Sequence, residues 1–215
     1  MKSLTRRPAL TAGVLTVVLA GLVLSACGGG DSSSSSNAPN GTDRAFATQM
    51  INHHQLAIDM AKVAEDRAGR PEIKTLAAAI ITAQKQEIAQ LKSVDKQLAA
   101  KNIETGDLKL PDSMMGMNMD DSMLMTADPF DREFIDTMVP HHQGAIRMAR
   151  VQLAKGKDPQ LRKLATAIIA AQSKEIEQMN SWRMGWYGAE STAGGVPPAD
   201  EKVTDDLPGM DHSGT

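Results

Sequence analysis

Residues 46–61 read FATQMINHHQLAIDMA, and residues 134–149 read FIDTMVPHHQGAIRMA. The second stretch repeats the first at an offset of 88, and the alignment continues without a gap through Pro71/Pro159 and Glu87/Glu175. Of the 46 aligned positions from 46 to 91, 21 are identical, which indicates an internal duplication. The fold is therefore expected to contain two copies of one structural unit.

Each copy has the pattern of two helices joined by a short turn. In the first copy Asp43 is predicted to cap the first helix, and Pro71 to start the second. Apolar residues then recur at spacings of three and four, the period of a helix with one buried face. In the second copy Asp128-Pro129 and Asp158-Pro159 open the two helices, and the last ends near Tyr187-Gly188. Two such hairpins, packed face to face, predict an all-α four-helix bundle.

The composition is consistent with helices and excludes some functions. Aromatic residues make up only 3% of the chain, which favours aliphatic helix packing over a β-sandwich. The formal net charge is −3, and it becomes −6 once the basic N-terminus is removed. No basic surface for nucleic acid is therefore expected.

The N-terminus is expected to be a lipoprotein signal peptide, residues 1–26. A basic start containing Lys2 precedes an apolar stretch, and Leu24-Ser25-Ala26-Cys27 resembles a bacterial lipobox. Cys27, the single cysteine, would be acylated and anchor the protein to the extracytoplasmic face of the cell membrane. Arg6-Arg7 leaves twin-arginine export open beside the general route.

The rest of the chain divides into four parts. Residues 27–42 are expected to form a flexible Ser-rich tether, and residues 43–187 the helical domain. That domain contains the repeats 43–101 and 128–187 and a Met-rich linker, 102–127; the tail 188–215 is expected to be flexible, like the linker. Pro140 lies inside the third long helix, where a kink before His141 is expected, or alternatively a helix break.

The residues with metal-binding chemistry occur at equivalent positions in the two copies. Four of the five histidines form the pairs His53-His54 and His141-His142. At 100° per residue, a methionine three residues before each pair and another six residues after it share a side of the helix with the first histidine. Imidazole and thioether together favour soft ions such as Cu(I) and, by the same softness, Ag(I).

Other residues are assigned auxiliary roles. Glu87 and Glu175 are repeat-equivalent and are expected to orient a histidine through its second ring nitrogen. The methionines of the linker and the end of the tail are expected to collect metal, with scavenging of oxidants as the alternative. These residues are Met114, Met115, Met117, Met119, Met123, Met125, Met210 and His212.

The two histidine stretches, each followed by Ala-Gln-x-x-Glu-Ile, resemble the DUF305 family over roughly Asp43 to Tyr187. The resemblance implies a ferritin-like bundle, and some members resemble periplasmic copper-binding and copper-resistance proteins. It therefore implies a non-enzymatic protein that handles extracytoplasmic copper, with a copper-handling protein as partner. The implied ligands come from Met50, His53, His54, Met60, Met138, His141, His142 and Met148.

Two other functions remain open from the sequence. One is a metal-free module that displays the bundle to a partner at the cell surface. The other is a ferritin-like di-iron oxidase, which would need several inward carboxylates and Glu-x-x-His pairs. The positions three before His53 and His54 are Met50 and Ile51, so this second alternative has little support.

Overall fold

The computed structural model describes residues 37–117 and 121–201, which form a bundle of four long helices. These are α1 (Gly41–Arg67), α2 (Pro71–Ala100), α5 (Phe130–Lys155) and α6 (Pro159–Tyr187), and the short helices α3 (Asp112–Met115) and α4 (Asp121–Thr126) lie between the hairpins. The described residues contain no strand, and the predicted all-α four-helix bundle is confirmed. None of their helices is long and apolar enough to cross a membrane.

The helix boundaries follow from local sequence. Pro71 and Pro159 lie in the first turns of α2 and α6, where a backbone N–H would have no helical partner. Asp158 caps α6, as predicted. The prediction for α1 was wrong, because its cap is Asn40. The Asn40 side chain accepts the backbone N–H of Asp43, whose carboxylate accepts that of Asn40 in return.

Two aspartates hold the hairpins together in an antiparallel arrangement. The Oδ1 of Asp43, in the first turn of α1, accepts the backbone N–H of Lys157 in the α5–α6 turn at 2.8 Å. The Oδ1 of Asp131, in the first turn of α5, accepts that of Gly69 in the α1–α2 turn at 3.0 Å. Asp43 and Asp131 are 88 positions apart, and so are Gly69 and Lys157. The two contacts are therefore equivalent, and they relate the hairpins by a pseudo-twofold axis.

The apolar core forms two clusters at opposite ends of the bundle. One combines the second half of α1 with the first half of α5 and contains Met60 and Met138. The other combines the first half of α1 with the second half of α5 and contains Met50 and Met148. Each cluster thus mixes both repeats, and the pseudo-twofold axis exchanges them. The four paired histidines lie on α1 and α5 between the clusters.

The linker was expected to be flexible, but its described part around Met115 and Gly116 packs against α5. Gly116 has a φ of +67°, and a Cβ there would lie 2.7 Å from the Pro140 carbonyl oxygen. A Cβ on Gly144 would collide with the carbonyl oxygen of Met115. Only glycine permits this approach of two backbones. α5 itself continues through Pro140, so the alternative of a helix break is wrong.

The described part of the tail also packs on the bundle, although the whole tail was expected to be flexible. The Nε2 of Gln143 donates to the carbonyl oxygens of Ala193 and Gly195, at 2.8 and 2.7 Å. Arg147 forms a two-point ion pair with Glu201, with both N–O distances at 2.9 Å. Residues 189–201 therefore form a strap across α5. The rest of the tail lies outside the described residues.

Candidate metal centre

Four imidazoles are buried where α1 crosses α5. The exposed fractions of His53, His54, His141 and His142 are 0%, 0%, 1% and 0%. The rings of His53 and His141 lie face to face across the pseudo-twofold axis, with centroids 3.7 Å apart and planes inclined by 39°. Each second histidine is farther out, with centroids at 6.3 and 6.4 Å from its neighbour. The first histidine of each pair therefore meets its equivalent in the other repeat.

The second histidine of each pair meets a glutamate of its own hairpin. The Nε2 of His142 is 2.7 Å from the Oε2 of Glu175 and forms a hydrogen bond. The Nε2 of His54 is 2.8 Å from the Oε2 of Glu87, which is an ion-pair distance, although the direction is poor for a hydrogen bond. A carboxylate accepts a hydrogen bond from an imidazole that carries its proton on Nε2. The Nδ1 atom of that neutral ring keeps its lone pair. The roles expected for both glutamates thus have a geometric basis.

The central pair is asymmetric. The Nε2 of His53 is 2.9 Å from the carbonyl oxygen of Met115, to which it donates as the neutral ring. Within residues 37–117 and 121–201, neither ring nitrogen of His141 has a hydrogen-bond partner. The linker therefore orients one central imidazole and leaves the other free.

All four Nδ1 atoms are buried without a partner in the described structure. Leaving a buried polar atom unpaired costs about 1–3 kcal/mol, so four at one place are a substantial penalty. The acceptors beside the Nε2 atoms of His53, His54 and His142 place the proton there and leave a lone pair on Nδ1, which is chemically suited to a cation. The type of donor fits the metal that the sequence implied, although no three His, Cys, Asp or Glu side chains among the described residues are arranged around a single ion.

Burial also keeps the central imidazoles neutral. Desolvation, with repulsion from His54 as the second cause, lowers the pKa of His53 from 6.5 to about 3. Desolvation, followed by repulsion from His53, lowers the pKa of His141 well below its usual value. Neutral imidazole is the form that binds metal, so these two rings are ready ligands at physiological pH.

The four methionines of the candidate set are buried on the same two helices as the histidines. The exposed fractions of Met50, Met60, Met138 and Met148 do not exceed 2%. They fall into two pairs, one in each core cluster, and each pair draws one thioether from each repeat. Soft donors therefore flank the imidazoles on both sides along the bundle axis.

The auxiliary residues are distributed unevenly. Met115 and Met117 line an open cleft of about 420 Å³ together with Met148. Met114 is half-buried, whereas Met123 and Met125 are exposed and away from this cleft. Four further predicted residues lie outside the described residues: Cys27, Met119, Met210 and His212.

Buried amides at equivalent positions escaped the sequence reasoning. Gln84 and Gln172 are 3% exposed, and the Oε1 of each lacks a partner. Each lies one turn before the glutamate that contacts a histidine. Their identity in the two repeats was the available signal.

Among residues 37–117 and 121–201, no group of three or more His, Cys, Asp or Glu side chains is arranged to hold a metal ion.

Fold and site together define a class: a four-helix bundle of two hairpins that encloses paired imidazoles between buried thioethers. The profile of the family described as "Domain of unknown function (DUF305)" matches residues 43–183 and, in a second match, 131–213. The chain belongs to the DUF305 family.

Solved structures of relatives have the same architecture. The Cu(I)-bound form of CopM is 41% identical with a TM-score of 0.58, and the alignment covers 68% of this chain and 98% of that one. The Ag-bound form is 40% identical with a TM-score of 0.59 over the same shares. A DUF305 fragment from Deinococcus radiodurans is 26% identical with a TM-score of 0.56, covering 67% and 96%.

A curated protein also matches part of the chain. Uncharacterized protein L153 of Acanthamoeba polyphaga mimivirus is 43% identical over 51 residues, which are 24% of this chain and 34% of that protein. The match therefore spans about a third of that relative's length.

Proposed function

We propose that this protein binds Cu(I), and equally Ag(I), between α1 and α5, and that it buffers or delivers copper or protects against it. The observation that carries the proposal is the set of four buried imidazole Nδ1 atoms that lack partners, flanked by buried thioethers. Neutral nitrogen and sulfur donors in a dry interior suit a soft ion, and thioether is a poor ligand for Mg, Ca or Mn.

The charge of the ion supports the monovalent state. Moving an ion from water into a protein interior is unfavourable, and for a given radius the solvation penalty rises with the square of the charge. A monovalent ion therefore enters a site of neutral donors with less penalty than a divalent one. The carboxylates of Glu87 and Glu175 supply compensating charge through His54 and His142 and make those rings more basic.

The relatives support the same ion. CopM, which is 41% identical, is known in Cu(I)-bound and Ag-bound forms, as well as in apo and Cu(II)-bound forms. The proposal that the present chain binds these ions depends on its own donors, which are the buried imidazole nitrogens and thioethers described above. The auxiliary role extends to Met115 and Met117, which share a cleft with Met148.

The site is tested by anaerobic titration of Cu(I) against a chromogenic chelator. The double variant His53→Leu/His141→Leu removes both central imidazoles and is expected to abolish competition with the chelator while circular dichroism still reports a helical fold. Failure of the wild-type protein to compete at any stoichiometry would refute the proposal and favour the metal-free display module.

The thioether contribution has a matched control. Met138 and Met179 are both fully buried in the same core cluster, and Leu91 occupies the position equivalent to Met179 in the other repeat. Met138→Leu is expected to weaken Cu(I) or Ag(I) binding by about tenfold, roughly 1.4 kcal/mol. Met179→Leu should leave affinity unchanged. Equal effects of the two substitutions would contradict a ligand role for Met138.

The location proposed for this function is the extracytoplasmic face of the membrane, with the lipid on Cys27 as anchor. Cys27→Ser is expected to move the protein from the membrane fraction to the soluble fraction of cells. Unchanged membrane association of that variant would argue against the anchor.

A further inference from the structure

The outer helices α2 and α6 leave two open clefts between them, of about 630 and 420 Å³. We call the larger the α6 cleft, because it contains Glu175, and the smaller the α2 cleft, because it contains Glu87. All eight residues that line the α2 cleft have their equivalents, 88 positions away, in the lining of the α6 cleft. The duplication therefore produced two related clefts on one side of the bundle.

Each cleft ends on a glutamate that contacts a buried imidazole. The side chain of Glu175 is 21% exposed and that of His142 is 0% exposed; the corresponding values for Glu87 and His54 are 17% and 0%. Each carboxylate thus touches both the open cleft and a histidine that solvent does not reach. Rotation of the glutamate side chain would open the imidazole Nε2 to the cleft.

Other sides of the histidine cluster are covered by chain. The linker backbone packs against Gly144, and its Met115 carbonyl oxygen receives the Nε2 of His53. The strap formed by residues 189–201 is fastened to Gln143, next to His142. On the α2–α6 side open space meets carboxylate side chains that contact the cluster, whereas the methionine cleft meets it through Met115, whose contact with His53 is made by the backbone.

We propose that the two clefts are ports through which a soft monovalent cation reaches the candidate centre, with Glu87 and Glu175 as its first ligands. The inference rests on the proposed function and adds a route to it. A carboxylate attracts a hydrated cation, and oxygen is a poor match for a soft ion, so a carboxylate holds it only transiently. The ion then exchanges oxygen for the neutral nitrogen and sulfur donors inside.

The two ports are unequal. The α6 cleft is larger and carries two acidic residues, Glu72 and Glu175, against one lysine, Lys174. The α2 cleft carries Glu87 against Lys163. Favourable charge raises the local concentration of a cation and its association rate. The α6 cleft is therefore the faster route.

The clefts can be filled without touching the core, since both contain exposed alanines. Ala171 of the α6 cleft and Ala83 of the α2 cleft are exposed repeat equivalents. Ala171→Phe and Ala83→Phe fill one cleft each, and the double variant fills both. Ala170→Phe is the matched control, because Ala170 is exposed on α6 but lines neither cleft.

Loading is followed by anaerobic stopped-flow absorbance, with Cu(I) supplied as its acetonitrile complex, and affinity by chelator competition at equilibrium. Ala171→Phe is expected to slow loading severalfold, and the double variant about tenfold or more. Stoichiometry and equilibrium affinity should stay within about twofold of wild type, and Ala170→Phe should load at the wild-type rate.

A second measurement tests the glutamates. Glu175→Gln preserves the shape and the acceptor but removes the charge, so loading should slow, and more so at low ionic strength. Glu177→Gln, on an exposed part of α6, is the control.

Three results would overturn the proposal that the clefts are ports. A double variant that loads at the wild-type rate with unchanged stoichiometry would refute them and leave the proposed function intact. If the equilibrium affinity for Cu(I) fell by the same factor as the loading rate, the clefts would be part of the binding site rather than a route to it. Slow loading of Met115→Leu/Met117→Leu alone would place the route at the methionine cleft. If wild type binds no Cu(I) at equilibrium, the proposed function itself fails.

Discussion

Mild acid is expected to destabilise the metal-free protein through its buried histidines. The pKa of His53 is about 3 in the folded protein and about 6.5 in an unfolded chain. Between these values the unfolded state binds one more proton, so stability falls as the pH falls. The slope for this one group is about 1.4 kcal/mol per pH unit, or roughly 2 kcal/mol between pH 6 and 4.5.

His141 acts in the same direction, because its pKa is lowered as well. The two together can therefore remove several kcal/mol of a free energy of unfolding that is typically about 5–15 kcal/mol. The carboxyls of Asp59 and Asp107, whose pKa values are lowered by hydrogen bonds from Lys62 and from the Lys109 backbone, lose their stabilising effect only at lower pH. The window between pH 6 and 4.5 thus isolates the histidines.

The assay is urea unfolding followed by circular dichroism at pH 7, 6, 5 and 4.5. His53→Leu is expected to reduce the pH slope by about 1.4 kcal/mol per unit. Saturating Ag(I) should raise the free energy of unfolding at every pH and leave the slope in place, because His53 carries no proton in the native state with or without metal, whereas the unfolded chain still binds one. A free energy of unfolding that is constant from pH 6.5 to 4.5, or a slope that His53→Leu leaves unchanged, would refute a buried neutral cluster.

Further predictions concern the contacts that position the cluster. Gly144→Ala places a methyl group against the Met115 carbonyl, so the linker must move. The free energy of unfolding is expected to fall by about 1–3 kcal/mol, and proteolysis within the linker to become faster. Asp43→Ala removes a buried carboxylate that accepts three hydrogen bonds from the second hairpin, and Asp131→Ala removes the equivalent residue, which accepts one from the first hairpin. Thermal unfolding should report a loss of about 3 kcal/mol for the first and about 1 kcal/mol for the second; equal losses would contradict this assignment.

Much of the bundle could be predicted because the signals are local and occur twice. Pro71, Pro159 and Asp158 mark helix starts by backbone chemistry alone, and the helical period identifies the buried faces. The start of α1 was misjudged because Asp43 suits either end of a capping box. The packing of linker and tail depends on distant contacts, and the only sign of it was Gly144 opposite Leu56 in the aligned repeats.

The candidate site was predictable in its residue types and less so in its arrangement. A helical projection places Met50, His53 and Met60 on one side of α1. Rise along the axis separates the two methionines by about 15 Å, so they contribute to opposite ends of the bundle. Which histidine faces inward depends on the crossing of α1 and α5, which no local pattern encodes. The structure turns His53 towards His141.

The exchange of the two core clusters by the pseudo-twofold axis also bears on the origin of the chain. The neighbouring imidazoles of His53 and His141 come from different repeats, and so do the thioethers of each cluster. A half-length ancestor with one hairpin would have assembled these donors only as a homodimer. Duplication and fusion of its gene would have made the halves inseparable at any concentration, and would have let positions 56 and 144 diverge so that Gly144 alone accepts the linker backbone.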